Sequence, residues 1–360
     1  MKVLHVAPLN VAGVPFNMAD MQRRFGADAR LVTLHKNVQT FPEDICLDLP
    51  LPRNMVANWW RVSKRKSPPS TPAANPTPTT IPLEHHPRNI LESIYFRFDD
   101  SRRRDIVERA ILDHRFDDFD IIHYDGGLDF FRDGRVAKRW KNAGKKIVCH
   151  YMGSDLRVRG VDPVVNALSD LNLTNESDHL FLHPYIHYLY IPFDVSDFVV
   201  RQKENKRLRI LHSPTNRAMK GTDLILPIMD KVRKNRDIEF VLVENMSHDE
   251  VMRIKGTCDL AIEQVGNFGG TGYGRNSLET LALGIPTITE MTPDYTVWLP
   301  ENPFVLANQD TLFDRLIELI DTPSLRSEKR ESGRRWVEKF HSFEAVHTQL
   351  MELYREHGII

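Results

Sequence analysis

Paired cysteines and long apolar runs are both absent from the 360-residue sequence. The three cysteines, Cys46, Cys149 and Cys258, lie far apart and form no CxxC pair. This excludes a disulfide scaffold and a cysteine zinc site, and it is typical of a reducing compartment. No stretch of about 18 or more apolar residues occurs, so we predict no membrane-spanning helix. The expected location is cytoplasmic.

An excess of charge of either sign is also absent. Lys and Arg number 48 and Asp and Glu number 49, which gives a net charge of −1. Such a balance provides no general attraction to nucleic acid, so no nucleic-acid partner is expected. Walker A, GxSxG and HExxH motifs are missing. The Asp-Phe-Asp at 118–120 has the form of a metal–nucleotide site, but it precedes a predicted strand, so we interpret it as a solvated loop and expect no metal.

Short Val- and Ile-rich runs alternate with amphipathic stretches, which indicates βαβ units and parallel sheets. Two series of such runs predict an α/β protein with two Rossmann-like domains, at 1–195 and 205–340, followed by a C-terminal helix at 342–360. The predicted strands of the first series are KVLHVA, ARLVTL, FDIIHY, KKIVCHY and DLNLTN, and a further apolar run, HYLYIPF, follows them. Those of the second series are LRILHS, IEFVLVE, CDLAIEQ, PTITE and PFVLA.

One segment interrupts this alternation. Residues 67–82 are rich in Pro and Thr and cannot form a helix or a central strand, so we place an insertion at about 63–87, either a flap or a linker. Just before it, residues 53–66 carry five basic residues, adjacent tryptophans and no acidic residue. This composition suits peripheral contact with an anionic membrane at its inner face. A helix packing its tryptophans on the first domain is the alternative.

Polar residues follow strands of the first series, at the ends where open parallel sheets bind ligands. The stretch HYMGSDLR places His150 and Asp155 at such an end, and IIHYDGG places His123 and Asp125 at another. His150 is suited to binding a substrate hydroxyl or to proton transfer; a structural histidine satisfied by backbone is the alternative. Gly13 follows the first strand, where it either lets a ligand approach the backbone or forms a plain turn.

Cations stand before a helix in the second series. In HSPTNRAMKGTDLI, Arg217 and Lys220 precede Gly221 and a predicted helix. A fork-shaped donor, a point charge and free helix amides are what a diphosphate needs. The alternative is a pair of solvent-exposed loop cations.

A glycine-rich stretch, GGTGYGRNSLETLALGIPTI, runs into another predicted helix. Its glycines leave the backbone open to a ligand, and Asn276 or Ser277 is expected to cap the helix. Glu279 falls in the first turn, where the helix dipole favours a carboxylate. It is equally suited to accepting two ribose hydroxyls, although the spacing alone favours the dipole.

Taken together, these motifs resemble the glycosyltransferases of the GT-B fold, and specifically the bacterial sugar transferases of family 4. The match rests on NVAGVPFN, HYMGSDLR, HSPTNRAMKGTDLI and GYGRNSLETLALGIPTI, in that order. The resemblance implies two Rossmann-like domains facing a cleft, with the C-terminal helix crossing back to the N-terminal domain. The first domain would bind the acceptor, and the second would hold a nucleotide-diphosphate sugar.

The resemblance also implies roles for individual residues. Lys220 and Arg217 would hold the diphosphate, Glu279 would bind the ribose, and His150 would lie near the transferred sugar. Gly13 and Asp155 would join the donor site from the first domain. Residues expected along the phosphates and the sugar are Gly272, Tyr273, Gly274, Arg275 and Asn276. Cations and helix ends would stabilise the leaving group, so no metal and no cofactor besides the donor sugar is expected.

One departure from the family bears on the activity. The family carries two glutamates separated by seven residues, and Thr271 stands where the first of them belongs; Glu263 is out of register. We therefore expect a retaining glycosyltransferase whose acceptor is a glycan, a lipid-linked molecule or a small molecule. A catalytically inactive relative that binds a nucleotide or a sugar is the alternative.

Overall fold

The computed structural model describes residues 1–36, 41–49, 81–87, 89–201, 203–266, 268 and 272–360. Within these residues the chain divides into two compact units. The first unit comprises the part up to Pro192 together with Val346–Ile360, and the second comprises Phe193–Ala345. The second unit is thus inserted between two parts of the first.

The first unit is built on a parallel sheet that has seven strands among the described residues. These strands are β1 (Lys2–Ala7), β2 (Asp28–Thr33), β3 (Ile45–Cys46), β4 (Ile121–Asp125), β5 (Lys146–Tyr151), β6 (Leu171–Thr174) and β7 (His187–Tyr188). Their order in the sheet, β3-β2-β1-β4-β5-β6-β7, reverses direction between β1 and β4. Ligands bind at such a reversal in open parallel sheets, outside the carboxyl ends of the strands.

Helices connect these strands, as parallel pairing requires. They are α1 (Val14–Arg24), α2 (Ile90–Asp113), α3 (Arg135–Asn142), α4 (Pro163–Leu168) and α5 (His179–Leu182). One face of the central strands buries Leu4, Val6, Ile122 and Tyr124 in the main apolar core of this unit. The alternate side chains of β1 and β4 include His5 and His123, which are also fully buried.

The second unit repeats the plan with five parallel strands among its described residues. They are β8 (Leu208–His212), β9 (Ile238–Leu242), β10 (Leu260–Gln264), β11 (Thr287–Thr289) and β12 (Val305–Leu306), in the order β12-β11-β10-β8-β9. The helices are α6 (Thr222–Asn235), α7 (His248–Lys255), α8 (Arg275–Ala282), α9 (Pro293–Trp298), α10 (Leu312–Asp321) and α11 (Pro323–His341). Leu, Ile and Val side chains of β8, β10, α6 and α10 form its main core.

A last helix, α12 (Phe343–Glu356), returns the chain to the first unit from Val346 onward. Its Tyr354 is fully buried and accepts a hydrogen bond from Gln22 of α1 at 3.4 Å. Gln349 donates to the carbonyl of Tyr188 in β7 at 2.9 Å. This helix therefore packs on both α1 and the sheet edge of the first unit.

The structure confirms the α/β fold with two Rossmann-like halves. Each predicted strand is present, and β7 lies in the apolar run HYLYIPF. Among the strands described, only the two-residue β3 has no counterpart in the sequence prediction. Residues 53–66 lie outside the described part of the chain, and so does the Pro/Thr-rich segment up to residue 80; the membrane contact stays a prediction. In residues 81–87, Leu83 and His85 pair with Val161 through backbone hydrogen bonds of 2.8 Å. Among the described helices, none has the length and hydropathy needed to span a bilayer.

Candidate functional site

The loop between β8 and α6 brings Lys220 against the end of β10. Gly221 has a φ of +64°, and a Cβ at this position would lie 1.7 Å from the carbonyl oxygen of Val265. Only glycine allows this close approach. As a result, the Lys220 ammonium bonds the carboxylate of Glu263 and the amide oxygen of Gln264 at 3.1 Å.

Glu263 joins Lys220 to the start of α8. Its second carboxylate oxygen accepts a hydrogen bond of 2.6 Å from Asn276, and Asn276 accepts one of 2.9 Å from the hydroxyl of Ser213. Burial acts to raise the pKa of Glu263, but Lys220 and the Asn276 amide outweigh it and lower the pKa. The chain Ser213–Asn276–Glu263–Lys220 thus connects the ends of β8 and β10 with the starts of α6 and α8.

Arg217 does not join Lys220 on one carboxylate. Its side chain is 43% exposed and bonds Glu244 at 2.7 Å and Asp223 at 2.9 Å. The two cations predicted for one diphosphate therefore have separate acidic partners in this structure. The contact of Arg217 with a diphosphate stays a prediction.

Glu279 is buried, with 3% of its surface exposed, and the side chains of His248, Arg275 and Lys255 bond it. One oxygen accepts hydrogen bonds from His248 at 2.8 Å and Arg275 at 3.0 Å, and the other accepts from Lys255, which is 1% exposed. Burial acts to raise the pKa of Glu279, but these donors hold it far below its usual range. A carboxylate offers about four acceptor positions, so a ribose would share this one with at least two protein donors.

The expected cap of α8 is wrong. The helix begins at Arg275 with Gly274 at the N-cap position, and no side chain caps it. Asn276 lies in the first turn of α8, and its side chain donates a hydrogen bond to Glu263 instead of capping the helix. Among the described residues, no atom would lie within 4 Å of a Cβ on Gly274, so none of them covers the backbone at this helix start.

Gly272 and Tyr273 lie outside this hydrogen-bonded chain. The carbonyl of Gly272 accepts a hydrogen bond of 2.7 Å from Thr289. Tyr273 stacks on Tyr295 and Phe304 and contacts the ring of His341 with its hydroxyl at 3.1 Å, which makes it part of the aromatic packing of the second unit. Thr271 lies outside the described residues, as do residues 267, 269 and 270.

In the first unit, the loops after β1, β4 and β5 converge. A Cβ on Gly126, just after β4, would lie 3.6 Å from Pro8 and 3.9 Å from the carboxylate of Asp155. Asp155 accepts a hydrogen bond of 2.9 Å from the backbone of Met152, and burial raises its pKa. Gly13 is buried at the N-cap of α1 with a φ of +68°. Gly13, Gly126 and Asp155 thus lie at the carboxyl edge of the sheet, as expected from their positions after strands.

His150 is fully buried at the end of β5. Its Nδ1 lies 3.4 Å from an oxygen of Asp125, and neither ring nitrogen has a hydrogen-bond partner among the described residues. The interpretation as a histidine satisfied by backbone is therefore wrong. Its contact with a transferred sugar stays a prediction.

Two side chains that bond Glu279, His248 and Lys255, were missed from the sequence. Both lie on α7, which begins with a capping box between Ser247 and Glu250. The stretch SHDE carries that signal, so the helix itself was predictable. That Lys255 is buried against Glu279 depends on how α7 packs on α8, which no local pattern records.

No protein-family model and no curated protein sequence matches the chain, whereas solved structures match over its whole length. HepE from Anabaena in complex with UDP is 13% identical, with a TM-score of 0.58 over 99% of this chain and 100% of that one. The chain has the GT-B fold. HepE in complex with UDP-glucose gives 11% identity and 0.57 over the same shares. A UDP-N-acetylglucosamine 2-epimerase gives 11% and 0.53, over 100% of this chain and 97% of that one. At these identities the likeness shows the fold alone.

Proposed function

We propose that the chain is a glycosyltransferase that moves a sugar from a nucleotide-diphosphate donor to an acceptor hydroxyl. The observation that carries the proposal is the chain Ser213–Asn276–Glu263–Lys220, which holds a charged ammonium beside the open start of α8. Helix starts and lysines both bind phosphate. The full-length match to a GT-B protein crystallised with UDP supports this assignment.

Lys220 is the group proposed to receive the charge of the leaving diphosphate. An ammonium has three N–H donors, and Glu263 and Gln264 accept two of them, which leaves one for a phosphate oxygen. Glu263 is buried, Lys220 and Asn276 lower its pKa, and its carboxylate bonds the Lys220 ammonium and fixes it in position. A preorganised cation of this kind stabilises charge that develops in the transition state.

Uridine diphosphate sugars are the first donors to test. HepE was crystallised with UDP, with UDP and glucose, and with UDP-glucose, and we carry this donor class over as part of the proposal. The proposal has three further parts: retention of anomeric configuration, independence from metal at the diphosphate, and peripheral membrane contact through residues 53–66. They rest on the family resemblance and on the composition of that segment.

The test compares thermal unfolding with and without UDP, UDP-glucose, ADP and GDP, because a ligand that binds the folded state raises the midpoint. We expect uridine nucleotides to raise the midpoint of the wild type and of Lys234→Ala, which removes an exposed lysine at the other end of α6. Lys220→Ala should abolish this rise and lower sugar transfer about 10²- to 10³-fold. A rise that persists in Lys220→Ala would contradict the assignment.

A second variant separates loss of the cation from loss of stability. Lys220→Ala leaves Glu263 buried without its cation, whereas Lys220→Met combined with Glu263→Gln removes both charges. We expect this double variant to fold and still to lose the nucleotide effect.

The inactive relative is kept as a second candidate because protein donors occupy both carboxylates of the site, Glu263 and Glu279. Stabilisation by nucleotide without donor hydrolysis or transfer to any acceptor would favour it.

A further inference from the structure

Three neighbouring strands of the first unit place histidines on one face of the sheet. In the register of β1 and β4, His5 pairs with His123. In the register of β4 and β5, Asp125 pairs with His150. Residues two apart on a strand share a face, so His123 and Asp125 point to the same side. The four side chains therefore form one cluster, which we call the histidine cluster.

The histidine cluster converges on the carboxylate of Asp125. Nδ1 of His5 lies 2.9 Å from one oxygen, and Nδ1 of His123 and Nδ1 of His150 each lie 3.4 Å from the other. His5, His123 and Asp125 each offer a ligand atom, and these atoms all lie within 4.8 Å of one another. None of the four residues is more than 1% exposed.

Most polar atoms of the cluster lack a hydrogen-bond partner among the described residues. They are both ring nitrogens of His123, both ring nitrogens of His150 and one oxygen of Asp125. Each buried polar group without a partner costs about 1–3 kcal/mol. Three of these atoms, Nδ1 of His123, Nδ1 of His150 and the Asp125 oxygen, face one another, and a cation beside the carboxylate would accept a lone pair from each of the three.

Both ring nitrogens of His5 have a partner. Nε2 lies 2.8 Å from the amide oxygen of Gln22, an acceptor, so Nε2 donates to it. Gln22 in turn donates to the hydroxyl of Tyr354. A metal-bound histidine typically donates its other N–H to an acceptor in this way. Nδ1 of His5 faces Asp125 at 2.9 Å, and a cation between the two would replace that hydrogen bond.

We propose that the first unit binds a divalent transition-metal ion of the zinc type through His5, His123 and Asp125. Imidazole and carboxylate are ligands for such ions, and hard cations such as Mg²⁺ prefer oxygen alone. Tetrahedral zinc with bonds of about 2.0–2.1 Å has ligand atoms about 3.4 Å apart. Here Nδ1 of His5 and Nδ1 of His123 lie 2.9 and 3.4 Å from oxygens of Asp125. His150, at 3.4 Å from the same carboxylate, is the nearest candidate for a fourth ligand.

This ion has a structural role and does not depend on the proposed sugar transfer. All its ligands lie within one sheet and are buried. The ion would link β1 to β4, and it would link both to β5 through His150. From the sequence, no metal is expected at the donor diphosphate. The ion proposed here lies in the first unit and does not change that expectation.

The experiment uses the full-length chain without an affinity tag that binds metal. Metal content is measured by inductively coupled plasma mass spectrometry as purified, and again after chelation and titration with Zn²⁺ or Co²⁺. We expect one equivalent per chain, the visible absorption of Co²⁺ in a tetrahedral site and a higher unfolding midpoint with metal. His123→Gln and Asp125→Asn should lose the equivalent and the absorption. His183→Gln, which changes a buried histidine of the same unit outside the cluster, should keep both.

A milder variant guards against loss of the fold. Gln22→Met removes the acceptor for His5 and should weaken metal affinity about 10- to 100-fold while the far-ultraviolet circular dichroism stays that of the wild type. Absence of stoichiometric metal in the wild type after titration would overturn the proposal without any variant. Equal metal binding by the wild type, His123→Gln and Asp125→Asn would also overturn it. In either case the hydrogen bond between Nδ1 of His5 and Asp125 would stabilise the cluster without a metal ion.

Discussion

At the scale of single residues, two buried carboxylates of the second unit are each fixed by a lysine. Glu263 bonds Lys220 and Glu279 bonds Lys255. Removing one partner of a buried ion pair typically costs about 3–5 kcal/mol because the other charge remains buried. Both pairs therefore set the positions of side chains around the start of α8, whatever ligand binds there.

A pH dependence follows from His183 of the first unit. Its Nε2 donates to Asn166 at 2.9 Å and its Nδ1 accepts from the backbone N–H of Tyr185 at 3.1 Å, so the neutral ring is fully bonded. Burial lowers its pKa to about 4 from 6.5. The unfolded chain binds this proton first, so the contribution to stability is present above pH 6.5 and is lost as the pH falls toward 4. We expect the free energy of unfolding to drop by up to about 3 kcal/mol from this residue.

Denaturant unfolding between pH 7 and pH 4 checks this expectation. His183→Gln should lose less stability over that range than the wild type, because glutamine does not titrate. His114→Gln, which changes an exposed histidine of the same unit, should keep the wild-type slope. Identical slopes for the two variants would show that His183 is not the group responsible.

The sequence predicted the residues of the candidate site better than their partners. Lys220 follows a strand and precedes a helix, and Asn276 lies in the first turn of a helix, which local patterns indicate; their roles in ligand binding stay predictions. Their connection through Glu263 was not found, because it depends on the register of β10 against β8. The histidine cluster was missed for the same reason: His5, His123 and His150 occur in three separate strands, and only the pairing of those strands brings them together.

At the scale of secondary-structure elements, the start of α6 depends on Gly221. Alanine there would adopt a positive φ and place Cβ 1.7 Å from the carbonyl oxygen of Val265, so the loop has to move away from β10. Gly144 also has a positive φ, of +81°, but a Cβ there would meet no atom within 4 Å. Gly144→Ala should therefore cost only about 1–2 kcal/mol of conformational strain.

We expect Gly221→Ala to cost clearly more than Gly144→Ala in chemical denaturation. It should also displace Lys220 from Glu263 and weaken nucleotide binding, which Gly144→Ala should leave unchanged. Equal losses of stability in the two variants would show that the loop tolerates the extra atom and that close approach to Val265 is not required.

Strands were the most predictable elements of the fold. A strand of a parallel sheet covered on both faces reads as a nearly continuous apolar run, and β4, for example, is buried throughout. The two-residue β3 is too short to give such a signal. The cap of α8 was expected at Asn276 or Ser277, two or three positions after the observed N-cap, Gly274, because Asn276 is a residue type that caps helices but here bonds Glu263. Tertiary contacts of this kind override local preference.

At the scale of the whole molecule, the first unit needs the last part of the chain. Tyr354 is fully buried and its hydroxyl contacts Gln22, while Phe25, just after α1, stacks on His347 with ring centroids 4.1 Å apart. We expect Tyr354→Ala to lower stability by about 3–5 kcal/mol, as for other large aromatic truncations in a core. Arg355→Ala, at the next and exposed position of α12, should change stability by less than about 0.5 kcal/mol.

Hydrogen exchange read by mass spectrometry locates the effect of Tyr354→Ala. Exchange should rise in α1 and β1 of the first unit and stay at wild-type rates in β8 and β10 of the second. A rise confined to the second unit would show that α12 supports a different part of the molecule.

The division of the first unit between both parts of the chain has a consequence for biosynthesis. Proteins leave the ribosome N-terminus first at about 5–20 residues per second. The segment Val346–Ile360 emerges after the whole of Phe193–Ala345, a delay of roughly 8 to 30 s at those rates. The second unit is translated during that interval and has its complete sequence at the end of it, whereas α1 still lacks the helix that packs on it. The unit that is translated first is completed last.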